Sequence, residues 1–125
     1  MKLRIEGNSI RLRVKKSDIE ALKSQGFVRE HVAFMKGFHL YYELKIDDRS
    51  KALDASFSNG TVTVSIPLSI ATVWVDSEQV GLENTSENGL FILIEKDFPC
   101  KTRVDEDKND LFQNLASKID PSVCD

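Results

Sequence analysis

Alternating apolar and charged residues open the chain in two runs, joined by the polar turn Gly7-Asn8-Ser9. The apolar positions are Leu3, Ile5, Ile10, Leu12 and Val14, and the charged positions are Arg4, Glu6, Arg11 and Arg13. A period of two is typical of strands that bury one face and expose the other. The pattern therefore predicts a hairpin over residues 3–14 whose polar face displays three arginines together.

A short helix is predicted after this hairpin. Ser17 is placed to accept a hydrogen bond from the third helical amide, and Glu20 is placed to reach back to the cap, which together make a capping box. Gly26 supplies a left-handed stop, so the helix is expected to run over residues 18–25.

Residues 27–66 are expected to form an antiparallel meander of strands. Phe27–Met35 and Phe38–Ile46 flank Lys36-Gly37, a pair that suits a two-residue hairpin turn. Asn59-Gly60 marks a second hairpin, and it is the strongest turn signal in the chain.

The chain changes character at Pro67, which fits the first turn of a helix but cannot donate to a strand ladder. A short helix is therefore predicted over residues 68–75. A short strand is predicted over residues 79–83. Residues 90–94 are apolar on both faces and predict a deeply buried strand.

These elements predict an α+β fold with about eight strands and two short helices. The sheet is expected to be mostly antiparallel and twisted, and it can curl into a partly closed barrel. We expect residues 1–98 to form this single domain, and residues 99–125 to form a charged C-terminal tail that packs on the sheet or is disordered. No internal repeat is visible in the sequence.

Charge is distributed unevenly along the chain. The net charge is −3, yet residues 1–16 carry +5, so the remainder carries −8. A basic hairpin on an acidic body can attract an anion, a phosphate or the protein's own acidic segments. The net negative charge argues against a nucleic-acid partner, which needs a wider basic surface.

No apolar run approaches the roughly 18 residues of a membrane span, so no membrane partner is expected. Charges in Met1–Glu6 occupy positions that would be apolar in a secretory signal, so the cytoplasm is the expected location. Cys100 and Cys124 are expected to be reduced thiols, because Cys124 lies next to the C-terminus, where a stabilising disulfide is not expected.

The arginines of the hairpin are the leading candidate site. Arg4, Arg11 and Arg13 can hold a phosphate or a carboxylate through bidentate hydrogen bonds. Glu95 and Asp97 follow a buried strand and can be the carboxylates that these arginines face. The arginines can instead protect a sheet edge from aggregation or pair internally with the acidic tail, and the two acids can simply mark where a strand leaves the core. We predict a ligand site that contains all five residues.

No metal site, cofactor or catalytic residue is predicted. His31, His39, Cys100 and the acidic residues 105–107 are suitable ligand types, but their spacing matches no zinc or calcium motif. Counting outward from the predicted two-residue turn places His31 opposite Tyr42, so the two histidines are not expected to share a site. Cys100 has no assigned base that would activate it as a nucleophile.

Three motifs resemble a family of short bacterial proteins of unknown function. They are Gly-Asn-Ser-Ile-Arg-Leu-Arg at residues 7–13, Ser-Asp-Ile-Glu at residues 17–20, and Glu-Lys-Asp-Phe at residues 95–98 with Cys100 after it. In that family an arginine and an acidic cluster follow, which match Arg103 and Glu106-Asp107, whereas the family's aromatic-proline-asparagine ending is replaced here by residues 112–114. The resemblance covers most of the chain, supports the helix after Pro67 and implies no activity.

We expect a small cytosolic, non-enzymatic binding module whose arginine-lined site takes a small anion or an acidic peptide. Two alternatives stay open. One is a phosphate- or nucleotide-handling enzyme that uses the arginines for phosphate and Glu95, Asp97 or Glu43 for a divalent metal. The other is a structural protein whose exposed sheet edge pairs with a second copy of the chain.

Overall fold

Eight strands and two helices make up residues 1–98, the part of the chain that the structure, a computed structural model, describes. The strands are Lys2–Glu6 (β1), Ser9–Val14 (β2), Phe27–Ala33 (β3), His39–Asp47 (β4), Asp54–Ser58 (β5), Thr61–Pro67 (β6), Gly81–Thr85 (β7) and Phe91–Lys96 (β8), and the helices are Lys16–Gln25 (α1) and Leu68–Val75 (α2). The predicted α+β class is confirmed. The predictions for residues 99–125, including both cysteines, fall outside the described residues.

The strands form two four-stranded sheets, with the order β1-β2-β8-β7 in sheet A and β3-β4-β6-β5 in sheet B. Each sheet has a parallel central pair with an antiparallel strand on either side. The antiparallel meander predicted for residues 27–66 is therefore wrong, because β6 rather than β5 lies beside β4. Turn signals depend only on neighbouring residues. They therefore predicted the β5–β6 hairpin correctly but could not predict which strand pairs with β4. Each sheet keeps two edge strands, so the pairings within residues 1–98 close no barrel.

The two halves of the described chain repeat the same topology, ββαββ. In each half the first hairpin enters one sheet, the helix follows, and the second hairpin enters the other sheet. Sheet A, written β1-β2-β8-β7, has the same construction as sheet B written β5-β6-β4-β3. The fold thus has a pseudo-two-fold arrangement in which each sheet takes one hairpin from each half, although no repeat is visible in the sequence.

Equivalent positions of the two halves fill one hydrophobic core. The equivalent pairs are Leu12 and Val64, Val14 and Ile66, Ile19 and Ala71, and Leu22 and Trp74. The two members of every pair are separated by the same number of residues in the sequence. This holds both for the pairs in the central strands and for the pairs in the helices. All eight side chains are buried, and Trp74 is the largest of them. The core therefore has the same pseudo-two-fold arrangement as the strands and helices, but the side chains at equivalent positions differ in volume.

The β3–β4 connection is one residue longer than predicted. The Phe34 amide donates to the Phe38 carbonyl at 3.0 Å, and the Phe38 amide donates to the Met35 carbonyl at 2.9 Å. Gly37 has a φ of +84°, the left-handed conformation that ends a three-residue hairpin loop. The predicted register is wrong by one residue, and such a shift changes which side chains of the two strands share a face. The predicted hairpin at Asn59-Gly60 is confirmed, with positive φ at both residues.

Helix α1 begins two residues earlier than predicted. The Lys15 amide donates to the Asp18 carboxylate at 2.8 Å, so Lys15 is the cap and Asp18 performs the role predicted for Glu20. Helix α2 follows Pro67 as predicted. Within residues 1–98, neither helix is both long and apolar enough to cross a membrane.

Candidate anion-binding face

Four positive side chains lie on the outward face of sheet A. Lys2 and Arg4 belong to β1, and Arg11 and Arg13 belong to β2, where they alternate with apolar residues, three of which pack in the core. The antiparallel register places Lys2 opposite Arg13 and Arg4 opposite Arg11. We call these four residues the arginine face. The hairpin and its period of two are as predicted. Lys2 lies on the same face as the three arginines because it is two residues from Arg4 on the same strand.

Arg13 is the buried member of the arginine face and is bonded to Glu95. The parallel pairing of β2 with β8 puts these residues side by side. Arg13 Nε donates to Glu95 Oε1 at 2.9 Å, and the side chains are 5% and 15% exposed. An uncompensated charge at this depth would cost several kcal/mol, roughly 3–5 kcal/mol for a fully buried pair. Arg13 is therefore held by an internal carboxylate.

The other three cations are more exposed, and their ion pairs with Glu6, Glu95 and Asp97 are longer than the bond between Arg13 and Glu95. Arg11 Nε lies 3.8 Å from the same Glu95 oxygen, and an Arg4 nitrogen lies 3.8 Å from a Glu6 oxygen. Lys2 Nζ lies 3.5 Å from Asp97 Oδ2. Contacts of this length are charge attractions rather than well-formed hydrogen bonds.

The arginine face lines a cavity of about 230 Å³ together with Leu3. A second cavity of about 50 Å³ adjoins Arg4 and Arg11 and continues to Phe91 and Leu93. Ligand pockets combine apolar walls with a few polar groups that fix orientation. This concavity has the size for a small anionic group and has guanidinium donors around it.

The fold itself does not require positive charge at these positions. In sheet B the residues equivalent to Lys2, Arg4, Arg11 and Arg13 are Asp54, Ser56, Thr63 and Ser65, and their register is the same. Like charges directly opposite on neighbouring strands are destabilising. Sheet A has two such cationic pairs and sheet B has none, although both hairpins pack on the same core.

A family model described as a family of unknown function, DUF7009, matches residues 1–116. The chain belongs to the DUF7009 family. The DUF7009 match covers all eight strands, both helices and every residue of the arginine face, and it continues to residue 116. No curated protein and no solved structure matches the chain. Because the DUF7009 family has no known function, membership assigns no activity, and the functional argument has to come from the geometry.

Sequence patterns missed a second charged cluster, which lies at the N-terminus. The Met1 ammonium is buried and lies 3.1 Å from Asp18 and 2.7 Å from Glu30. Burial alone lowers the pKa of this ammonium, whereas hydrogen bonds to Glu30 and Asp18 and their charges raise it, and the net shift is upward. Burial and the same two carboxylates raise the pKa of Tyr42. No motif or periodicity in the sequence indicates where the terminal amine packs, so its contacts with Asp18 and Glu30 could not be predicted.

Side chains that could act as metal ligands do not form groups of three or more within residues 1–98. No set of three or more His, Cys, Asp or Glu residues in this part of the chain is placed to hold a metal ion. Glu43, one of the three carboxylates that the enzyme alternative offers to a metal, lies in sheet B opposite Arg29, whereas Glu95 lies in sheet A. The structure therefore brings Glu95 and Asp97 to the arginine face and leaves Glu43 in the other sheet.

Proposed function

We propose that the protein is a non-enzymatic binding module of the bacterial cytoplasm, and that its arginine face binds an anionic group, a phosphate or a carboxylate. The observation that carries the proposal is the two pairs of opposed cations, Lys2 with Arg13 and Arg4 with Arg11, around one cavity. An anion placed between opposed guanidiniums removes their repulsion and accepts charge-assisted hydrogen bonds from both.

The members of the arginine face have different roles in this proposal. Arg13 supports the site, because it is buried and bonded to Glu95. Arg4 and Arg11 contact the ligand, since their side chains are 34% and 23% exposed and line both cavities. Glu95 orients the Arg13 and Arg11 side chains from beside them.

The contrast with sheet B supports the same assignment. An equivalent hairpin with Asp54, Ser56, Thr63 and Ser65 folds into the same topology without a cationic cluster. Like-charge pairs that folding does not need are expected where a partner of opposite charge binds.

The test replaces the two half-buried arginines, Arg4 and Arg11, and measures thermal unfolding. Arg4→Gln with Arg11→Gln should abolish the rise in Tm that inorganic phosphate, pyrophosphate or a hexaglutamate peptide gives the unchanged protein. A ligand at one hundred times its Kd stabilises by about 2.7 kcal/mol, a shift well above measurement error. Phosphate and peptide are compared separately, so the result also identifies the source of the anionic group.

The matched control is Lys45→Gln with Lys51→Gln, which removes the same charge from other parts of the molecule. This variant should keep the full ligand-induced rise in Tm. All measurements use one ionic strength, because salt alone weakens surface electrostatics. An equal rise in the arginine variant and in the unchanged protein would contradict the proposal.

A further inference from the structure

Both histidines of the chain lie on one face of the β3–β4 hairpin. His31 and His39 are the only two histidines in the 125 residues. The observed register puts His31 opposite Tyr41 and His39 opposite Ala33, so the two imidazoles are diagonal neighbours on the outward face of sheet B. This placement differs from the prediction, in which the histidines do not share a site, because the observed register is shifted by one residue.

The separation of the two rings suits a shared metal ion. Their centroids are 5.5 Å apart, and the ring planes are inclined at 64°. A zinc–nitrogen bond of about 2.0–2.1 Å places each ring centre about 3.2 Å from the ion, so two imidazoles at a tetrahedral angle have centres about 5.2 Å apart. The observed distance between the ring centres is close to this value.

The residues around the two histidines leave both imidazoles accessible to solvent and permit a soft cation to bind between them. Both histidines are exposed, and Tyr41 packs beside them with ring distances of 5.7 Å and 5.9 Å. The Arg29 guanidinium lies 4.2 Å above the Tyr41 ring, and Glu43 is its partner in the register. The Arg29 charge weakens cation binding and Glu43 offsets part of that effect, so affinity has to come from the imidazole nitrogens.

We propose that His31 and His39 together bind one divalent transition-metal ion of the zinc class, with water or an external ligand in the remaining positions. Imidazole is a preferred ligand of Zn²⁺, Ni²⁺ and Cu²⁺, whereas Mg²⁺ prefers oxygen. The site lies on sheet B, away from the arginine face of sheet A, and does not depend on the proposed anion binding.

The test titrates the full chain with Zn²⁺ by calorimetry, with Mg²⁺ as the cation that should not bind. His31→Gln and His39→Gln should each lower the Zn²⁺ affinity by about tenfold or more, because each removes one of two shared ligands. The double variant should bind Zn²⁺ no more tightly than either single variant. Tyr41→Phe is the control, and it should keep the affinity of the unchanged protein.

Cysteine thiolates also bind zinc, so the titrations are repeated on a Cys100→Ser, Cys124→Ser chain. NMR of the unchanged protein adds a measurement that needs no variant: the ring C–H signals of both histidines should shift together and saturate at one equivalent of Zn²⁺. Unchanged affinity in either histidine variant, or saturation of the two histidines at different metal concentrations, would overturn the proposal.

Discussion

At the scale of single residues, the cations of the arginine face differ in how deeply they are buried. Arg13 and Glu95 form a hydrogen-bonded pair beneath the arginine face, whereas Arg4 and Arg11 line its cavities. A bonded, buried cation is needed for folding, because removing its partner leaves an uncompensated charge. Binding therefore has to be tested at Arg4 and Arg11 rather than at Arg13.

The Met1 ammonium predicts a loss of stability in alkaline solution. Its pKa is raised in the folded protein above the ordinary value of 8.0 by Glu30 and Asp18, against the effect of burial. A raised folded pKa gives stability that is complete below about pH 8 and is lost as the pH rises through the folded pKa. Urea unfolding at about pH 7 and about pH 9.5 should show this decline.

Glu30→Gln should reduce that decline, because it removes the carboxylate that lies 2.7 Å from the ammonium. At about pH 7 the variant should lose about 1–2 kcal/mol, as expected for a hydrogen bond to a charged group. Glu83→Gln, at an exposed position of β7, is the control and should keep the alkaline decline of the unchanged protein. An equal decline in the Glu30 variant would show that other groups cause it.

At the scale of elements, α2 is held at its C-terminal end by a lysine from β8. Lys96 Nζ donates to the carbonyls of Trp74 and Ser77 at 2.8 Å and 2.6 Å, where the helix leaves carbonyls without helical partners. A cation at this end also interacts favourably with the helix dipole. Lys96 thus ties the last strand of sheet A to the helix that follows β6.

Lys96→Met should lower the free energy of unfolding by about 1–2 kcal/mol, because the apolar stem is kept and both hydrogen bonds are lost. Lys23→Met is the matched control. Lys23 bonds Asp76 at 2.9 Å near the same end of α2, but both side chains are exposed, so its loss should change stability less. Urea unfolding compares the two variants. An equal loss of stability in both would show that the hydrogen bonds from Lys96 to the two carbonyls stabilise the protein no more than the exposed ion pair of Lys23 does.

Local elements could be predicted from the sequence, while their partners could not. The arginine hairpin, the Asn59-Gly60 turn and helix α2 all depend on neighbouring residues, and they are confirmed. The parallel pairing of β2 with β8, which brings Glu95 to Arg13, joins residues far apart in sequence, and no local pattern specifies it. The register of β3 and β4 depends on one extra loop residue, which the Lys36-Gly37 signal did not reveal.

At the scale of the whole molecule, the two halves are interdependent. Each sheet takes a hairpin from each ββαββ half, so neither half can complete a sheet alone. The core that joins them includes residues of both sheets and both helices. The described region should therefore unfold as one cooperative unit.

The pseudo-two-fold arrangement also supplies an internal reference for function. Sheets A and B share one construction, yet only sheet A, within residues 1–98, carries cations at the four equivalent hairpin positions. A property that comes from the fold should occur in both sheets, whereas a property that comes from a binding site should occur in one. Anion binding is therefore expected on sheet A alone.

The most direct measurement is an NMR titration of the unchanged protein with pyrophosphate at constant ionic strength, following the Nε–H signals of the arginine side chains. We predict saturable shifts of the Arg4 and Arg11 signals, and no saturable shift of Arg29 and Arg49, which belong to sheet B and the loop after β4. Small linear shifts of all arginines alike, or saturable shifts at Arg29 instead of Arg4 and Arg11, would contradict the account.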